Sequence, residues 1–97
     1  MDRKILLNDL YDNYKELFTD KQQQYYEQYY WDDLSLSEIA NNSGVSRNAI
    51  HNQLKIMEEK LLELEEKLKL SSKKEEIINL LEGKVDKEII EKIKGIL

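Results

Sequence analysis

Proline and cysteine are absent from this chain, glycine occurs three times and histidine once among 97 residues. Without proline and with little glycine, the composition strongly favours helix. Without cysteine there is no disulfide framework and no thiolate metal site. His51 has Leu54 and Lys55 at its i+3 and i+4 positions, so no metal-ligand pair forms on its helix face. No glycine-rich phosphate loop and no Gly-x-Ser-x-Gly elbow occur. The expectation is a protein that is not an enzyme and has no cofactor. No apolar run approaches the ~20 residues that span a bilayer. Ile5-Leu6-Leu7, behind Met1-Asp2-Arg3-Lys4, is too short for a signal-peptide core. A soluble, cytoplasmic protein without membrane insertion is expected.

What remains is rich in Leu, Ile, Glu and Lys, and no segment alternates like a strand. An all-α fold of five to six helices follows, organised as one helical domain over 1–97. The net charge is -5. Residues 1–34 carry -4, residues 35–60 are neutral and residues 61–97 carry -1. Phosphate binding needs clustered cations, so a generic nucleic-acid binder is disfavoured. The neutral third is nonetheless the most interesting stretch.

That stretch, Leu34 to Lys55, reads as helix, tight turn, helix. Ser35 and Glu38 form a capping box. Ile39 and Ala40 are the buried side, and Ala40 lets a second helix approach closely. Gly44 supplies the left-handed residue that ends the first helix, and Val45 is expected to plug the corner. Ser46 caps a second helix beginning Arg47-Asn48-Ala49-Ile50. The spacing matches a helix-turn-helix.

Around the motif, Leu6, Leu7, Leu10, Tyr11, Tyr14, Leu17 and Phe18 form a helical apolar stripe, so a first helix is expected from about Asp2 to Leu17. Thr19 and Gln22 make another capping box for a helix from Asp20 to about Trp31. Its Tyr25/Tyr29 and Tyr26/Tyr30 pairs form two aromatic columns, either a stacking platform for bases or, the favoured reading, the wall of a small core with one column partly wet. Ile50, Leu54, Met57, Leu61, Leu64 and Leu68 repeat in steps of four and three, which extends the second motif helix to about Lys69. This seam either packs within the chain or pairs with a second copy; a homodimer is favoured, since many such proteins set two reading helices one DNA turn apart. The helix-turn-helix core therefore covers about 19–69. Leu70-Ser71-Ser72 breaks the helix, and Ser72 with Glu75 reads as a third capping box. A short C-terminal helical hairpin over 72–97 follows, turning at Gly83 and recapped by Asp86.

Ser46, Arg47, Asn48, His51, Asn52 and Lys55 share the side of the second motif helix away from Ile50 and Leu54. Arg can grip guanine edges or phosphate, and Asn can pair with adenine edges. A capped helix N-terminus can hold a phosphate. These six are the candidate nucleic-acid-binding residues. The bland alternative is a motif kept for packing, with its polar groups facing water.

Phe18-Thr19-Asp20-Lys21-Gln22, Tyr25-Tyr26-x-x-Tyr29-Tyr30, Asp32-Asp33-Leu34-Ser35-Leu36-Ser37-Glu38-Ile39-Ala40 and Gly44-Val45-Ser46-Arg47-x-Ala49-Ile50-His51 together resemble the YlxM-like family of small bacterial helix-turn-helix proteins. The resemblance runs from about Leu7 to Leu70. It implies a fold like the DNA-binding fourth region of sigma factors and a regulatory or accessory role in the signal recognition particle pathway. The implied partners are the particle's RNA or its GTPase. A DNA-binding transcription regulator and a dimeric protein-interaction module with a non-binding motif are the alternatives. Where family members are often more basic after the motif, Ile56-Met57-Glu58-Glu59 stands here, which weakens duplex DNA as the target.

Overall fold

A computed structural model describes residues 2–97. Six α-helices follow one another, with no strand among the described residues: α1 Arg3–Tyr14, α2 Asp20–Tyr30, α3 Leu36–Ser43, α4 Arg47–Leu68, α5 Leu70–Leu81 and α6 Lys87–Ile96. The fold is all-α, as the composition implied.

Local chemistry sets the first four helices. The Asp2 carboxylate accepts the Lys4 N–H at 3.1 Å and opens α1. The Thr19–Gln22 and Ser35–Glu38 capping boxes both close, satisfying two amides reciprocally at α2 and α3. Helix α1 stops sooner than its apolar pattern indicates. It tightens after Tyr14 into a 3-10 turn over Lys15–Leu17. The tighter turn rotates Leu17 outward, to 64% exposure, and delivers Phe18 to the core instead.

Helix α4 is the spine. Ile50, Leu54, Met57 and Leu61 are buried against α1, α2 and α3. Each such side chain contributes about 1.5–3 kcal/mol of burial. The seam is thus filled from within the chain over its first three turns. It fades at Leu64, and Leu68 is 45% exposed. A second copy is not needed to cover Ile50 to Leu61.

The tyrosines form the core wall. Tyr11 and Tyr26 stack with centroids 3.9 Å apart, and Tyr30 extends the stack from Tyr26 at 4.5 Å. Every buried tyrosine except Tyr25 sends its hydroxyl to an acceptor, as does the half-buried Tyr30. Tyr11 donates to Glu27 at 2.6 Å, Tyr26 to Asn8 at 2.8 Å, Tyr14 to Glu65 at 2.9 Å, and Tyr30 to Glu58. Burial, reinforced by neighbouring carboxylates, pushes the hydroxyls of Tyr11, Tyr26 and Tyr30 well above the ordinary tyrosine range. The wet and dry rings divide along the helix rather than between columns: Tyr25 and Tyr26 are buried, Tyr30 is half-buried and Tyr29 is exposed. Tyr26 is therefore no base-stacking platform.

The C-terminal region departs from expectation at its start. A single residue, Lys69, in the left-handed conformation (φ +55°), separates α4 from α5. Ser72 lies inside α5 and forms no capping box with Glu75. Glu65 takes that role. Its carboxylate accepts the Ser71 N–H at 3.0 Å and the Ser72 N–H at 3.3 Å, while the Leu70 N–H donates to the Tyr14 hydroxyl at 3.1 Å. Gly83, at φ +78°, makes the hairpin turn. Asp86 precedes α6, but its carboxylate makes no capping bond; the Ile89 and Ile90 amides bond its carbonyl.

Candidate nucleic-acid interface

The motif is built by short-range rules. Gly44 closes α3 in the left-handed conformation at φ +69°, and the Val45 N–H donates to the Ala40 carbonyl at 3.2 Å. A side chain at Gly44 would meet open space, so only the backbone angle requires glycine there. The Ser46 hydroxyl accepts the Ala49 N–H at 3.0 Å, which starts α4. The Arg47 and Asn48 amides precede any intrahelical acceptor and point outward with the positive end of the helix dipole. Ile39 and Ala40 are buried, so α3 sits close against α4.

The structure brings all six candidate residues together. Ser46, Arg47, Asn48, His51, Asn52 and Lys55 are exposed, while Ile50 and Leu54 on the opposite side are buried. Arg47, His51 and Lys55 recur every four residues and form one strip; Asn48 and Asn52 form a second beside it. The strip ends abruptly. Glu58 is half-buried, accepts the Tyr30 hydroxyl and lies 3.8 Å from Arg3. Glu59, beside it, is exposed.

Two flanking grooves were not legible from the motif. One, of about 380 Å³, is lined by Arg3, Tyr29, His51, Lys55, Glu58 and Glu59. It sets an arginine from α1 and an exposed tyrosine from α2 beside the strip. The other, of about 360 Å³, is lined by Lys21, Gln22, Tyr25, Val45 and Gln53. Val45 was expected to plug the corner. It is 39% exposed and forms the wall of this groove, because the Gln22–Gln53 side-chain bond, 3.2 Å, spans the corner beside it.

Among the described residues, no group of three or more His, Asp or Glu side chains could hold a metal ion. No described helix is long and apolar enough to cross a membrane.

A family model described as "Putative helix-turn-helix protein, YlxM / p13 like" matches residues 1–96. A UPF0122 protein of Halalkalibacterium halodurans is 44% identical over 91 residues, covering 91% of this chain and 84% of the relative. One of Desulforamulus reducens is 46% identical over an alignment of 101 residues, covering 94% and 86%. One of Mycoplasma capricolum is 42% identical over 81 residues, covering 84% and 72%. With the capped helices, the left-handed Gly44 and the exposed strip in place, the chain belongs to the UPF0122 family of YlxM / p13-like helix-turn-helix proteins.

Proposed function

We propose that the strip from Ser46 to Lys55 binds nucleic acid, and that the chain is a non-catalytic, cytoplasmic accessory protein of the signal recognition particle pathway. One observation carries the binding claim: six polar side chains stand exposed on the first turns of a capped helix whose opposite side is buried. The pathway rests on the family resemblance, which implies the particle's RNA and its GTPase as partners and a motif like the fourth region of sigma factors. The motif would act from a single helical domain. The acidic turn at Glu58 and Glu59 favours RNA over an operator duplex, because it leaves few cations for continuous phosphate neutralisation. A DNA regulator is the second reading, favoured by Asn48 and Asn52, exposed one turn apart and suited to adenine edges. The proposal includes a homodimer, which would present two strips at once.

The test is a salt-dependent anisotropy titration with the particle RNA and with a random DNA duplex. Binding to the RNA should persist near physiological salt. Arg47→Ala and Lys55→Ala should each lower the log–log salt slope by about 0.7 on single-stranded regions, or about 0.9 on duplex. Tighter binding to duplex would favour the regulator. Parent and variants that bind nothing would leave the motif as a packing unit.

A further inference from the structure

The C-terminal hairpin leaves its apolar surface open. Helices α5 and α6 pack on one another, and α5 packs on α1, which buries Ile78 and Ile90. Seven exposed large apolar side chains nevertheless lie between Leu68 and Leu97. Leu70, Ile77 and Leu80 share one face of α5, and Ile89 and Ile96 share one face of α6. Leu80 is 60% and Ile96 is 83% exposed. Single exposed leucines are ordinary on a monomer, whereas stripes on adjacent helices mark an interaction surface.

Area and charge identify the occupant. The chain exposes 6885 Å². A compact monomer of its 11.6 kDa exposes about 5,800 Å². Its radius of gyration is 16.2 Å, against about 12.5 Å for a compact domain of this length. The excess of roughly 1,000 Å² is close to the ~800 Å² that each partner loses in a standard interface. Residues 70–97 carry six lysines and six carboxylates, whereas residues 1–69 hold the whole net charge of -5. The hairpin is neutral, like residues 35–60 and unlike the acidic residues 1–34, so two copies can meet here without net repulsion, with cations facing carboxylates around an apolar centre.

We propose that the α5–α6 surface is where two copies of this chain pair about a twofold axis, through Leu70, Ile77 and Leu80 of one helix and Ile89 and Ile96 of the other. This rests on the homodimer reading and moves its interface off the α4 seam, whose Ile50 to Leu61 portion is already buried within the chain. Such a dimer leaves Ser46 to Lys55 of both copies free.

Sedimentation equilibrium of the full chain at tens of micromolar is the test. The parent should have the mass of a dimer. The double variant Leu80→Glu/Ile96→Glu should weaken the dimer by more than about tenfold while keeping the helical circular dichroism of the parent. A monomeric parent overturns the homodimer and the surface together. A double variant that remains dimeric overturns the surface alone. Should that variant unfold, single thiols decide, since the chain has no cysteine. A short bismaleimide should link Ile96→Cys into dimers and leave Arg47→Cys unlinked; the reverse pattern overturns the proposal.

Discussion

Replacing Glu65 by alanine should loosen the join between the two parts of the molecule. The Glu65 carboxylate holds four groups: the Tyr14 hydroxyl at 2.9 Å, the Ser71 amide at 3.0 Å, and the Ser72 amide and hydroxyl at 3.3 Å each. Losing a side-chain acceptor at a helix start costs about 1 kcal/mol. The Tyr14 ring is only 2% exposed, and a buried hydroxyl without its acceptor costs a further ~1–3 kcal/mol. The Ser72 groups are exposed and water replaces their partner, so the expected loss lies in the lower half of the roughly 2–4 kcal/mol sum, at about 2–3 kcal/mol. For a domain of this size that lowers the melting temperature by roughly 10–20 °C. Urea unfolding followed by circular dichroism measures it, with the exposed neighbour Glu66→Ala as control, expected within about 0.5 kcal/mol of the parent. Amide exchange should show α5 losing protection before α4. If Glu65→Ala unfolds within about 0.5 kcal/mol of the control, Glu65 is not what fastens α5 to α1.

Alkaline pH should destabilise the fold through Tyr11, Tyr26 and Tyr30, whose folded pKa values are raised chiefly by burial. The folded chain keeps protons that the unfolded chain releases, so stability is full below pH about 10 and falls as pH rises beyond it, by about 1.4 kcal/mol per unit for each protected ring. Urea midpoints at pH 9 and 11 check the sign, and equal midpoints would refute it. Gly44→Ala should cost about 1–2 kcal/mol from backbone strain alone, since nothing crowds the added carbon. Gly95→Ala, in the last turn of α6 with open space around it, should add up to about 0.5 kcal/mol, less than the mid-helix gain. Thermal melts distinguish the two signs.

What could be read from the chain follows the range of each interaction. Thr19 with Gln22, Ser35 with Glu38, and Ser46 with Ala49 act within a few residues, so the motif and its boundaries were visible in sequence. The exposure of the six candidate residues was visible too, because the buried Ile50–Leu54 side fixes which side is left for solvent. Long-range partners were not visible. Glu65 reaches Tyr14 across 51 positions, and that contact replaces the local Ser72–Glu75 box. Lys69 takes a left-handed angle without being glycine, so no residue type announced the break. Leu17 fits a 3.6-residue stripe that the 3-10 turn then leaves. Leu68 continues the seam in sequence, but it is left 45% exposed. Arg3 and Tyr29 join the edge of the strip only because α1 and α2 fold beside α4.

Backbone amide shifts of the labelled chain, followed while the particle RNA is added, test the role of α4 most directly. The amides from Ser46 to Lys55 should move first and furthest, together with the Arg47 side-chain N–H groups, and the movement should shrink as salt is raised. Shifts confined to α5 and α6, or none at RNA excess, would contradict a reading role for α4.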